Sequence, residues 1–303
     1  MSSLLVKMFI FVVLMAIGYV LSRRGSLSGE FARMGSSLAL NVFMFATIIG
    51  SAMSSVGGMS NRSLLVAIGA SFVTSALCYT IGFSVTRPFA KSDTAAVSQL
   101  LISAPNMMFI GVPVVQAIYG PQAVLYLALS TLPFNILIYS YGVILLKGNK
   151  NGGFDMRELV TSPLIATVIA VLLLLFRIEL PGILTELIDT MSAATMPFSM
   201  IVIGASLGAV DVKGIFSDLR IYAVSAIRLI LSPILVYLVL SLFIKDRVLL
   251  GSMTVYAACP TGIVVSILAM KYDRTAIYAS KGVLMTTALS MLTIPFIAYI
   301  LPI

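Results

Sequence analysis

The 303-residue chain contains no histidine, only two cysteines and only eleven acidic residues, and each shortage removes a class of function. Without histidine there is no imidazole proton shuttle, and zinc sites and histidine-ligated haem are short of ligands. Cys78 and Cys259 both lie in apolar stretches, so a disulfide framework is not expected. No metal and no cofactor is expected. None of the acidic residues falls deep in an apolar stretch, and Asp189 and Asp211 sit at the ends of one. Pumps and cation-coupled carriers keep a carboxylate at membrane depth. An intramembrane enzyme needs paired aspartates, a Ser/His pair or metal ligands there. The sequence offers none of these, so an enzyme is not expected.

What is abundant is hydrophobic residues, 60% of the chain, with only 10% charged. An ordinary soluble domain carries roughly 25% charged residues. A soluble fold of this length has too much surface to leave so uncharged, and a bilayer removes the conflict. The net charge of +8 does not point to nucleic acid, because the basic residues stand singly or in pairs in short gaps with no stripe or patch. In a membrane protein such charge marks cytoplasmic loops.

Ten apolar stretches near the spanning length emerge, at 4–21, 37–56, 64–86, 94–118, 121–147, 159–177, 187–210, 220–243, 248–270 and 276–301. The fold expected is therefore an all-α integral membrane protein with ten transmembrane helices. Arg23 and Arg24 follow the first stretch rather than precede it, which argues for a retained helix and against a signal peptide. The odd-numbered loops hold twelve basic residues: Arg23, Arg24, Arg33, Arg87, Lys91, Lys147, Lys150, Arg157, Lys213, Arg220, Lys271 and Arg274. The even-numbered loops hold four: Arg62, Arg177, Lys245 and Arg247. The asymmetry predicts both termini outside a plasma or inner membrane, with odd loops in the cytoplasm.

The stretches correspond between halves. Starts at 4, 37, 64, 94 and 121 match 159, 187, 220, 248 and 276, offsets of 150 to 156. Five spans per half is odd, so the second half enters the membrane inverted, as in many secondary transporters. The expected organisation is 1–147 as the first five-helix inverted repeat, 148–158 as a cytoplasmic linker and 159–303 as the second. Ten similar helices in series also give a rough offset by themselves.

Such folds carry a broken helix at matching places. Pro105 in the fourth span and Pro260 in the ninth are 155 residues apart, with Asn106 beside the first and Thr261 and Gly262 beside the second. Proline removes one donor and pushes away the carbonyl four residues back. Lipid offers the freed groups nothing, so protein, water or ligand must satisfy them. The half-helix after each proline turns its amides and positive dipole end towards the gap, which suits an anion. Pro133, Pro163, Pro197, Pro233 and Pro295 also fall within spans, and a simple kink is the bland alternative for any one of them.

Two cations fall inside spans, Arg228 in the eighth and Lys281 in the tenth. Lys281 is shallow enough to snorkel to the interface. Arg228 either does the same or acts as a charge partner: in place of a coupling cation, against a cluster of backbone carbonyls, or for an anionic substrate. Asn41, Thr47, Asn135, Ser199 and Ser206 are further polar candidates, with hydrogen bonding between helices the plain alternative. Gly204-Ala205-Ser206 with Gly208 reads as a close helix contact.

Four stretches, taken together and in order, carry a family resemblance: LNVFMFATII from Leu40, SAPNMMFIGVPVV from Ser103, TMPFSMIVIGASL from Thr195 and ACPTGIVVSILAMKY from Ala258. The chain resembles the auxin efflux carrier family over its whole length, in the branch of short bacterial permeases. The resemblance implies an inverted five-plus-five fold with a scaffold part and a mobile transport part, and fourth and ninth helices that cross at their prolines to form the substrate site. It implies that Pro105, Asn106 and Pro260 match the crossover and Asn41 a polar position of the second helix. It implies small organic anions such as malate or malonate as substrates, and a homodimer. Phe45 stands where the second helix often has a proline, and the crossover lacks the plant pattern, so auxin is not the expected substrate.

The expected function is a secondary transporter of a small organic anion, working by alternating access with Asn41, Pro105, Asn106, Asn135, Pro260, Thr261 and Gly262 as the binding residues and Arg228 as a charge partner. A sodium- or proton-coupled symporter of the bile-acid type shares the plan, but should carry buried Glu or Gln near the crossover, and the only candidates, Gln99 and Gln116, both lie off the break. A channel or receptor is not favoured, since no pore loop or ring of charge is visible.

Overall fold

The computed structural model describes residues 2–55, 60–147, 159–209, 218–272 and 274–301. The expected linker at 148–158 and Asp211 lie outside the described residues. Among the described residues the secondary structure is helical with no strand. The segments are α1 (Ser2–Arg23), α2 (Gly29–Met53), α3 (Asn61–Thr86), α4 (Ala95–Ser103), α5 (Val112–Tyr119), α6 (Pro121–Lys147), α7 (Ser162–Leu175), α8 (Gly182–Gly208), α9 (Leu219–Ser241), α10 (Arg247–Ala258), α11 (Val264–Lys271) and α12 (Ala276–Ile300).

Six of these are long and apolar enough to cross a membrane: α2, α3, α6, α8, α9 and α12. Shorter apolar helices cover Phe9–Arg23, Met107–Tyr119 and Ser162–Leu175. The second span begins at Gly29 rather than near 37, because Ser28 caps it, its hydroxyl accepting the amide of Phe31 at 3.2 Å. The polar first turns are therefore helical, although their composition reads as a loop.

Prolines shape the interiors. The π-helical turns Met107–Gly111 and Ile227–Leu231 each end two residues before a proline, Pro113 and Pro233. The ring lacks the donor for Phe109 and Leu229, four residues back, and the ladder widens to longer bonds around that gap. Ser232 returns its hydroxyl to the carbonyl of Ile227 at 3.0 Å.

The chain divides into two compact units, each drawn from both halves of the sequence. The first comprises Met1–Ala67, Met108–Leu129 and Thr161–Asp211. Here α1 lies directly on α8: a Cβ at Gly18 would collide with the carbonyl of Ile201, and one at Gly204 with the carbonyl of Met15. The glycines permit backbone approach, which is how helices associate where the hydrophobic effect offers nothing. Between α2 and α8, the Thr47 and Thr195 hydroxyls lie 2.6 Å apart and both point at the carbonyl of Phe43. The Lys7 ammonium donates to the carbonyl of Ala117, near the end of α5.

The second unit comprises Ile68–Met107, Ser130–Val160 and Val212–Ile303. Its helices join through buried hydroxyls: Ser75 with Tyr256 at 3.0 Å, Ser98 with Tyr278 at 2.9 Å, and Ser130 with Ser71 at 3.0 Å. Gln99 donates to the Tyr141 hydroxyl at 2.7 Å. Gly82 lets α3 touch the end of α4, where a Cβ would strike the Ser103 hydroxyl.

Candidate functional site at the proline crossover

Helix α4 stops at Ser103 and α10 at Ala258, and the residues that follow are extended: Ala104 at φ −101°, ψ 98° and Cys259 at φ −60°, ψ 144°. The next residue in each case is the proline of the matched pair. The two extended pieces run antiparallel and meet as an isolated bridge between Pro105 and Thr261. The Asn106 amide donates to the carbonyl of Pro260 at 2.7 Å, and the Gly262 amide donates to the carbonyl of Ala104 at 2.9 Å. Neither bond asks a donor of a proline. Gly262 passes so close that a Cβ there would lie 3.2 Å from the carbonyl oxygen of Pro105, tight enough to force a small shift.

The carbonyls left behind by the two prolines can be followed individually. In an unbroken helix Leu101 would accept from residue 105, and Tyr256 from residue 260. Leu101 instead accepts the Thr261 hydroxyl at 2.5 Å. Tyr256 accepts Nη2 of Arg228 at 3.2 Å. The same guanidinium donates from Nε to Cys259 at 2.8 Å and from Nη1 to Ile102 at 2.9 Å. Arg228 thus joins the carbonyl ends of α4 and α10, the negative poles of both helices, and its side chain is entirely buried. It does not snorkel. Its direct partners are a cluster of main-chain carbonyls.

The remaining backbone donor at the bridge is also matched. The Thr261 amide donates to the Thr286 hydroxyl at 3.1 Å, which itself points at the carbonyls of Gly282 and Val283. Thr286 and the receiving carbonyls carried no sequence signal: a threonine in an apolar helix and main-chain oxygens of apolar residues look like ordinary span.

The expected site residues separate. Pro105, Asn106, Pro260, Thr261, Gly262 and Arg228 come together in the second unit. Asn135 belongs to that unit too, but is buried with its amide on the carbonyl of Leu159 at 2.8 Å. Asn41 belongs to the first unit, is exposed, and donates to the Ser37 hydroxyl at 3.0 Å. Lys281 lies half-buried beside a cavity of about 680 Å³ that Asp218, Arg220, Arg274 and Tyr278 also line.

Among the described residues no acidic side chain is buried, and no group of three or more His, Cys, Asp or Glu is placed to hold a metal. Two apolar helices interrupted at matched prolines are a feature found in many secondary transporters.

A family model described as "Membrane transport protein" matches residues 3–158 and 151–298. The chain belongs to this family, that of the auxin efflux carriers. It is 26% identical over 295 residues to an "Uncharacterized transporter" of Methanothermobacter thermautotrophicus, covering 95% of each chain. It is 23% identical over 306 residues to another of that description from Methanocaldococcus jannaschii, covering 96% of this chain and 97% of the other. A protein of Rhizobium meliloti named "Putative malonate transporter" is 31% identical over 134 residues, 44% of this chain and 41% of its own length. This family member is a multi-pass membrane transporter, not an enzyme.

Proposed function

We propose that this transporter carries a small organic anion, a dicarboxylate such as malonate being the first candidate, by alternating access at the proline crossover. The observation that carries the reading is the charge balance there: the crossover holds a fully buried arginine, and no acidic side chain is buried among the described residues. Carbonyl poles offset part of the positive charge without neutralising it, so the site favours an anion. The malonate transporter name borne by one relative supports the substrate class over the part of the chain it matches.

The architecture proposed with it is ten spans in two inverted sets of five, 1–147 and 159–303, joined by 148–158. The matched breaks at Pro105 and Pro260 and their 155-residue spacing support it. Both termini outside a plasma or inner membrane is the orientation that the twelve-to-four loop charge bias supports.

Counterflow in proteoliposomes tests the function. Vesicles loaded with malonate, malate or a monocarboxylate are offered labelled substrate, with wild type and Asn106→Ala compared. Saturable exchange of one carboxylate, lost in the variant, is expected. Absence of exchange across the panel refutes the carboxylate assignment.

A further inference from the structure

Carriers built on broken helices hold coupling cations at half-helix carboxyl ends and unwound carbonyls. In this protein that position is taken by a side chain. Three main-chain carbonyls, Ile102 at the end of α4 and Tyr256 and Cys259 at the end of α10, converge on the Arg228 guanidinium at 2.8 to 3.2 Å. A fourth, Leu101, is taken by the Thr261 hydroxyl. Arginine is a permanent cation with five donors in a fixed fork. Here it is 0% exposed and has no buried carboxylate among the described residues to balance it.

We propose that Arg228 is a tethered cation: its guanidinium occupies the place at the crossover that a coupling sodium ion would take, so no sodium binds there and transport runs without it. The oxygens that a sodium ion needs are engaged, and a second positive charge beside the guanidinium is repelled. Removing the side chain leaves three carbonyl dipoles aimed at one small volume, a site that a free cation of the right shape can fill. Arg228 acts on the substrate through this frame and is a positioning residue.

The inference rests on the carrier reading, and two measurements separate their fates. The first needs no substrate. Thermal unfolding of the purified full chain is followed in sodium chloride and in choline chloride, for wild type, Arg228→Ala, Arg228→Met and Arg228→Lys, with and without low-millimolar guanidinium. The wild-type midpoint is expected to be the same in both salts, and guanidinium to raise the midpoint of Arg228→Ala but not of wild type. The second is malonate counterflow in the same salts. Wild type is expected to run equally in both, Arg228→Met to fall by at least about tenfold, as loss of several charge-assisted hydrogen bonds implies, and Arg228→Lys to retain more than Arg228→Met. Guanidinium is expected to restore Arg228→Ala.

A wild-type midpoint raised specifically by sodium overturns the proposal, as does Arg228→Met transporting at the wild-type rate in choline. Should the neutral variants fail to fold, the wild-type comparison between salts still decides. If no protein exchanges malonate while the midpoints behave as expected, the tethered cation stands and the substrate assignment falls.

Discussion

The Thr286 hydroxyl receives the amide of Thr261 at 3.1 Å and so ties α12 to the backbone of the bridge. Both residues are fully buried, so no water replaces a lost partner. Thr286→Val keeps the shape and removes the acceptor. The stranded amide is expected to cost about 1–3 kcal/mol, read as a lowered thermal midpoint, with Thr286→Ser close to wild type. Equal midpoints for valine and serine would show that the amide finds another acceptor.

Gly204 makes a different kind of prediction, because its neighbour is backbone and cannot swing aside. Gly204→Ala drives a methyl into the carbonyl of Met15, so α1 and α8 must separate. Overpacking of this kind costs about 1–3 kcal/mol. Gly69 in α3 is the control, since a Cβ there meets nothing within 4 Å, and Gly69→Ala is expected to be neutral or to stabilise by about 0.5–1 kcal/mol. Parallel thermal unfolding of the two variants checks the contrast.

These two cases show what the sequence discloses and what it withholds. Pro105 and Pro260 were legible because proline has one inescapable consequence, a missing donor, and because the two stand 155 residues apart, each beside polar residues. Arg228 was legible as a cation in an apolar span, but not its partners. Its carbonyls belong to residues 28 to 126 positions away, and a main-chain oxygen has no letter in the sequence. Asn135 shows the reverse case. An amide in a span advertises hydrogen bonding without saying whether the partner is ligand or protein, and here it is the carbonyl of Leu159. The early start of α2 was hidden by polar composition and revealed only by its Ser28 cap.

Asp218 sets a pH dependence at the start of α9. It caps α9 through the amide of Arg220 at 3.0 Å and pairs with the Arg220 guanidinium at 2.8 Å. The hydrogen-bonded guanidinium holds its carboxyl below the usual carboxylate range. A carboxyl lowered on folding contributes stability above its unfolded value, about 3.9, and loses it as pH falls through the lower folded value. Asp218→Ala is expected to lose a helix cap, about 1 kcal/mol, while Asp218→Asn keeps the capping oxygen and stays nearer wild type. Their midpoints should diverge from wild type at pH 7 and converge towards it in strong acid. Divergence unchanged in acid would assign the effect to packing rather than charge.

Two buried asparagines of the second unit, Asn106 and Asn135, allow the proposed binding role to be set against a supporting one. The main chain of Asn106 makes the bridge to Pro260, and that bond survives any side-chain replacement other than proline. Asn106→Ala therefore keeps the main-chain bond of the bridge and removes the buried side-chain amide. Its expected effect on transport is a raised half-saturation or a lost exchange rate. Asn135→Ala removes the 2.8 Å bond from a buried side chain to the carbonyl of half-buried Leu159. Its expected effect falls on stability, about 1 kcal/mol, with half-saturation unchanged. Counterflow kinetics and thermal unfolding on both variants form a two-by-two comparison. If Asn106→Ala lowers the midpoint and spares the half-saturation, its side chain is a strut of the fold, and the anion is held by the backbone and charge of the crossover alone.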